Sequence, residues 1–294
     1  MVTVTDDGGS SGRLRRDFDV LPPGDIRNCM EALSEDEALL SKLFQYRFAS
    51  GRGLKGHSFG NLFLTALTHV TGDFPMAVRF TSEVLAIAGR IYPSTTSNVG
   101  LEARLADGKV VRGETRISRS KAPIERVSLT PRRCRPMAET VEAIAAADLI
   151  CLGPGSLYTS VIPNLLVSSI PAAIQRSAAL KAYFVNLMWQ PGETMYFSAH
   201  DHVAAINKHA RRKLLDYVIV NTYPITGALR RRYAAEKVYP VENDTPKLES
   251  AGIRVLGANL LAAAEKVRHD SKAAAEVAVE LAKEGRARRQ RTAR

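Results

Sequence analysis

Apolar positions along this chain follow two periods that alternate. Short runs of β-branched and apolar residues lie at 149–152, 182–187, 217–220, 238–241 and 253–256, and each reads as a strand, the first of them buried. Between and before them, apolar residues recur at helical spacing over 26–33, 36–48, 61–70, 73–89, 138–147, 165–177, 199–210, 226–233 and 271–284. In 73–89 the apolar face runs through Ala77, Phe80, Val84 and Ile87, and Asp25 stands where it can cap the first of these helices. Strand and helix alternating at this spacing predict an α/β fold, a Rossmann-like, mostly parallel sheet with helices on both faces.

Two segments depart from that rhythm. Residues 2–5 read as a strand that runs into a flexible polar loop, DDGGSSG, at 6–12. Residues 98–132 read as a small β-rich insertion: a hairpin of 101–105 and 110–117 around an Asp107-Gly108 turn, then a strand at 124–129. No internal repeat is present, so 1–294 reads as a single domain carrying this insertion.

Charge changes the picture at one end. The net charge is +11, and 281–294 holds six basic residues against Glu284 alone, so +5 of the total sits there and +6 on the body. Residues 285–294 read as a disordered basic tail, either a solvated frayed end or a hold on RNA or anionic lipid. No RRM, KH or helix-turn-helix pattern supports nucleic acid as a partner. The charge of the body suits an anionic small ligand. Cys29, Cys134 and Cys151 form neither a CxxC pair nor an even framework, which argues against a secreted disulfide protein and a structural zinc site. No apolar run reaches the ~18–20 residues of a membrane span. The N-terminus lacks the order of a signal peptide, so the expected location is cytoplasmic.

The strongest chemical signal is the strand 149–152 ending in Gly153-Pro154-Gly155-Ser156, with a helix soon after. Glycines let a phosphate approach the backbone, and the N–H groups of a helix N-terminus attract an anion. Ser156 and Thr159 add hydroxyls. The same spacing also fits a tight turn with Ser156 as a cap. A second signal is Asp6-Asp7-Gly8-Gly9-Ser10, followed by Arg13. Ligands of parallel sheets bind beyond the carboxyl ends of strands. There Asp6 or Asp7 could hold Mg²⁺ or a sugar hydroxyl, and Arg13 a phosphate; otherwise this is a solvated acidic turn. Asn186, Gln190 and Glu193 follow one strand and Asn221 another, each a polar group at a strand end. His200, His202 and His209 lack a third ligand at zinc spacing. His57, in GHSFGN, reads as a cap more than a base. There is no nucleophile elbow, no HExxH and no close acid/base pair in sequence.

Several strings together resemble a known family. They are DDGGSSGRLRRDFDVLPPGDIRNC (6–29), GHSFGNLFLTALT (56–68), GDF and VLAIAGRIYPST within 72–95, ADLICLGPGSLYTSVIPNLLV (147–167), NLMWQPGET (186–194), DHVAAINKH (201–209) and VRHD (267–270). The chain is similar over residues 2–275 to the gluconeogenesis-factor family, a branch of the CofD-like superfamily whose founding enzyme is 2-phospho-L-lactate transferase. The resemblance implies a cytoplasmic Rossmann-like protein needed for growth on gluconeogenic carbon sources and for cell shape and wall synthesis. It implies a nucleotide-sugar ligand such as UDP-N-acetylglucosamine, with Mg²⁺ as its one candidate cofactor, and cell-wall synthesis proteins or a second copy as partners. It places ligand contacts at Asp6–Gly9, at Gly153–Ser156, and on an aromatic and an arginine, Tyr233 and Arg268; Asn61, Asn186, Gln190 and Asn221 complete the candidate set.

Two departures stand out. The family's first strand and GGGTG-type loop have no counterpart before Met1, for which a misplaced start codon is the preferred explanation. Trp189 stands where the family carries a small polar residue, and would narrow the pocket or simply pack. Three functions follow in order: a UDP-sugar-binding regulator, a phospholactate-type transferase, and a nucleic-acid binder acting through the tail. Ser271 reads as a solvent-facing helix serine more than a phosphosite.

Overall fold

Four strands lie parallel in the order β4 (Leu149–Leu152), β5 (Leu180–Phe184), β6 (Tyr217–Asn221) and β7 (Arg254–Ala258). This is a computed structural model of the protein, and it describes residues 1–34 and 39–292. Register runs Leu152 beside Tyr183, Phe184 beside Ile219 and Val220 beside Gly257, so all the carboxyl ends emerge at one edge. Both faces are covered, as the alternation predicts. Tyr183, Val185, Val218 and Val220 face the larger core. Leu180, Ala182, Phe184 and Ile219 face a smaller one closed by Leu281 of the last helix, α13 (Ser271–Thr292). β5 is buried at every position, and its one charged residue, Lys181, donates through Nζ to Ser177 O at 2.7 Å.

The remaining helices come in chain order. Before the first strand are α1 (Gly9–Phe18), α2 (Gly24–Leu33), α3 (Leu39–Gln45), α4 (Phe59–Thr71) and α5 (Phe74–Val84). α6 (Glu114–Ile117) and α7 (Ala138–Ala146) precede β4; α8 (Ile162–Leu166) and α9 (Ile170–Arg176) follow it. Later come α10 (Ala199–Ala210), α11 (Gly227–Ala235) and α12 (Thr245–Ser250). Caps explain several starts: Ser58 accepts from Asn61 N, Asp73 from Met76 N, and Ser198 with Asp201 forms a reciprocal capping box. The expected insertion is a separate antiparallel sheet, β2 (Val110–Arg112), β1 (Gly100–Leu105) and β3 (Ile124–Thr130), in that order.

Several expected elements differ, each for a physical reason. Residues 2–5 make one bridge, Val2 to Pro93, and no strand, because a proline cannot extend the ladder. DDGGSSG is not a flexible loop. α1 starts at Gly9, and its small residues permit close packing: a Cβ on Gly24 would lie 2.4 Å from Ser11 Oγ and 2.5 Å from Asp6 Oδ2. Asp25 does not cap α2, whose N-cap is Pro23. In α5, Ala77 is buried but Phe80 and Val84 are exposed. Of the helix expected at 36–48, residues 36–38 fall outside those described and α3 ends at Gln45.

The second hairpin arm stops at Arg112, where Gly113 turns at φ 92° with the Asp7 carboxylate against its Cα, and α6 begins. The helix expected at 165–177 is interrupted at Ser169, left-handed at φ 67°, and restarts as α9 with Pro171 in its first turn; α8 begins earlier than expected, at Ile162, directly after a π-turn (Leu157–Val161). Residues 238–241 supply one bridge, Met188 to Pro240, and no strand. The expected disordered tail is helix through Thr292, because its arginines have partners: Arg286 and Arg289 pair with Asp148 at 3.1 and 3.0 Å, and Arg288 with Asp216 at 3.7 Å.

Candidate functional site

The carboxyl edge of the parallel sheet gathers the loops that the sequence singled out. After β4, Gly153 adopts φ 71° with its Cα against the neighbouring strand, where a Cβ would sit 3.1 Å from Phe184 O. After β5 comes Asn186, and after β6 Asn221. Two cavities open along this edge. One, about 540 Å³, runs beside the whole of β4 from Leu149 and reaches this edge at Gly153 and Gly155, and is also lined by Asp25, Asn28 and Thr3. The other, about 290 Å³, is lined by Asn186, Asn221, Thr222, Arg230 and Asn243.

Between the cavities the GPGS and NLMWQPGET segments are wired together. Gln190 Nε2 donates to Ser156 Oγ at 2.8 Å and to Glu193 Oε1 at 3.2 Å. Glu193, 4% exposed, accepts from Tyr158 N at 2.9 Å and from Thr159 Oγ1 at 2.9 Å. Its carboxylate thus takes the seat at the start of the helical run that the sequence reading reserved for a ligand phosphate. Burial raises its pKa and these hydrogen bonds oppose that rise. Ser156 caps no N–H, so its hydroxyl serves Gln190 instead.

Asn221 holds two loops in register, accepting from Leu260 N at 3.0 Å and donating to Tyr223 O at 2.6 Å. Tyr233 on α11 and Arg268 are neighbours through the backbone, since Val267 N donates to Tyr233 OH at 3.3 Å. His269 Nε2 lies 3.1 Å from Val185 O, which sets the 267–269 segment beside the end of β5 and Asn186. Arg268 itself is exposed.

Other predicted residues make contacts within the protein. Asp7 accepts from Thr115 N and Oγ1, both at 2.9 Å, and so anchors the start of α6. Asp6 accepts from Gly8 N at 2.8 Å, and Gly9 opens α1. Ser10 is bonded to His57 Nδ1 at 2.9 Å, and Arg13 donates to Lys55 O at 2.9 Å. Asn61 is buried and accepts from Arg27 Nε at 3.0 Å.

The sequence reading missed a group of carboxyls. Asp25 is pushed up to about 6 by burial, with Asp6 adding to the rise and Arg27 opposing it. Glu114 is pushed up to about 8, first by burial and then by Asp25, Asp6, Glu193 and Asp7. Glu114 Oε2 is buried without a hydrogen-bond partner. No sequence signal marks this meeting of five carboxyls from four separate segments. Among the described residues, no three His, Cys, Asp or Glu side chains are placed to hold a metal ion together.

Comparison with known proteins follows the same lines. The profile of the family described as "2-phospho-L-lactate transferase CofD" matches residues 1–261. The "Gluconeogenesis factor" of Bacillus subtilis is 45% identical over 285 residues, covering 97% of this chain and 90% of that protein. The "Gluconeogenesis factor" of Halalkalibacterium halodurans is 44% identical over 281 residues, covering 95% and 87%. The chain belongs to the gluconeogenesis-factor family of CofD-like proteins. A crystal structure of a UPF0052 family member from Bacillus halodurans shares the fold with a TM-score of 0.91 at 44% identity, covering 94% of this chain and 89% of that one.

Within this gluconeogenesis-factor fold the unusual Trp189 packs. Its ring meets Tyr196 and Tyr239 at 4.9 and 5.4 Å, and its N–H donates to Phe197 O at 3.1 Å. His202 and His209 share a buried face of α10; His209 Nε2 accepts from Val127 N at 3.0 Å. Among the described residues no single helix is long and apolar enough to cross a membrane.

Proposed function

We propose that this protein binds a UDP-sugar of the UDP-N-acetylglucosamine type at the carboxyl edge of its parallel sheet. In this reading it acts in the cytoplasm as a regulator that links the level of that metabolite to growth on gluconeogenic carbon and to cell shape and wall synthesis. One observation carries the reading. The polar ends of three adjacent parallel strands, Gly153–Ser156, Asn186 to Gln190, and Asn221, emerge at one edge, with Tyr233 and Arg268 beside it. Arg230 in the smaller cavity supplies a cation for a pyrophosphate, and a tyrosine face suits a uracil or a sugar. The name of the relatives supports the gluconeogenic role.

Isothermal titration with UDP-N-acetylglucosamine, in Mg²⁺ and in EDTA, tests the binding. Saturable binding is expected, weakened about tenfold or more by Arg268→Ala or Tyr233→Ala, which corresponds to a loss of about 1.4 kcal/mol. No binding by the unaltered protein in either buffer overturns the reading.

The second reading is a phospholactate-type transferase. It is favoured by the matched family's own description and by two carboxyls whose surroundings set them apart, Asp25 near 6 and Glu114 near 8. Turnover of a deazaflavin acceptor by the pure protein would place it first.

A further inference from the structure

The antiparallel sheet carries an arrangement of charge that its own fold leaves unbalanced. Register sets Arg104 of β1 directly opposite Arg126 of β3. Like charges directly opposed across strands destabilise a sheet. Neither can turn away, because Leu101, Ala103, Leu105, Val127 and Leu129 are buried on the other face and fix the register. Arg104 has Glu125 at 3.2 Å, but that pair is about half exposed and so weak. Among the described residues Arg126 has no ion pair.

Beside this face lies a cavity of about 770 Å³, larger than either cavity at the sheet edge. Arg104 and Arg126 line it, joined by Arg132 after β3 and by Arg211 and Arg212 at the end of α10. Its one acidic lining residue, Glu102, is already paired with Arg112 at 2.9 Å. Arg212 is turned to Gln175. Among the described residues Arg132 and Arg211 have no ion pair. The volume falls within the range of small-molecule sites. Planar guanidinium forks match the oxygens of phosphate groups. The one aromatic ring in its lining is His209, which is 5% exposed and has both ring nitrogens engaged, by Val127 N and Ala205 O, so the cavity offers little face on which an aromatic base could stack.

We propose that this cleft is a second anion site, separate from the carboxyl edge, that takes a compact polyphosphate-type small molecule without an aromatic base. The anion bridges Arg104 and Arg126 and is closed in by Arg132 and Arg211. Its binding removes the repulsion built into the sheet, so the occupied protein is the more stable one.

Inorganic tripolyphosphate is the probe, in calorimetry and thermal denaturation at about 0.15 M salt. One-to-one binding and a rise in Tm are expected. The double substitution Arg126→Ala with Arg211→Ala is expected to weaken binding by about tenfold or more. Arg79→Ala with Arg90→Ala removes the same charge at a different cavity and leaves the affinity unchanged, as does Arg268→Ala, outside the cleft as well. If the first double variant does not fold, Arg126→Gln, which keeps the length of the stem, serves in its place. Three results overturn the proposal: no binding, equal weakening by both double variants, or tighter binding of hexaglutamate, which would make an acidic peptide of a partner the occupant.

Discussion

Glu114 shows how a residue of ordinary type acquires an unusual state from its neighbours. Burial and four surrounding carboxyls push its pKa up to about 8. In the unfolded chain the same side chain titrates near 4.5. The folded protein therefore holds a proton that the unfolded chain releases, and stability falls as pH rises from about 4.5 to about 8. Glu114→Gln keeps the shape and removes the proton exchange. Its Tm is expected to match that of the parent near pH 5 and to exceed it near pH 8.5, a gap that opens across the window of the shift. Thermal denaturation at the two pH values checks this; a constant difference would mean that Glu114 is ionised in the fold. Asp25, raised to about 6, adds a loss of the same sign at lower pH in both proteins. Glu193 lies in the same group and is also raised by burial, but Tyr158 N and Thr159 Oγ1 oppose that rise by stabilising its charged form. Removing it by Glu193→Ala would leave those donors buried and unpaired, and is expected to cost about 1–3 kcal/mol in chemical denaturation. Glu193→Gln, which keeps one acceptor, should cost less.

At the scale of the element, what the sequence shows depends on where each segment finds its partners. β5, β6 and α10 were legible because their apolar positions match the surfaces they bury, whereas β4, read as a buried strand, is the outermost strand of the sheet, with only Leu152 buried and Cys151 exposed. Gly153–Ser156 and Asn186 could be placed at the carboxyl edge of the sheet because strand ends in a parallel sheet are where loops converge. The serines and glycines of 8–12 misled, since a flexible composition there serves close packing against α2 and Asp6. The seating of Glu193 at the π-turn could not be read, because residues 158 and 193 meet only through the sheet. The C-terminal segment misled most. Its charge suggests a tail free to bind RNA, whereas Arg286, Arg288 and Arg289 tie α13 to Asp148 and Asp216. The helix also lies tight on the chain before β4, where a Cβ on Gly285 would sit 1.9 Å from Asp148 O. Gly285→Val is therefore expected to lower stability by about 1–3 kcal/mol through overpacking. Removal of residues 286–294 should likewise lower Tm. A salt-sensitive RNA affinity that vanishes on that truncation would contradict this structural role for the arginines.

Across the whole molecule, stability is graded, and the grading bears on the ligand reading. β5 and β6 are buried on both faces and paired on both sides, so their amides should open only with global unfolding. α11 stands at the other extreme. None of its residues is buried, yet Arg230 lines the smaller cavity and Tyr233 OH accepts from Val267 N beside Arg268. A helix with so little packing of its own gains order from whatever binds against it. Hydrogen exchange should therefore be fast in α11 of the free protein and slow in the presence of UDP-N-acetylglucosamine, with β5 and β6 unchanged. Tripolyphosphate, seated across the molecule on the antiparallel sheet, should protect β3 and the end of α10 and leave α11 as it was. The two patterns separate the two sites in one experiment. A UDP-sugar that binds while α11 continues to exchange freely would show that Tyr233 and Arg230 lie outside the site, and would shift attention to the larger cavity beside Gly153, Gly155 and Asp25.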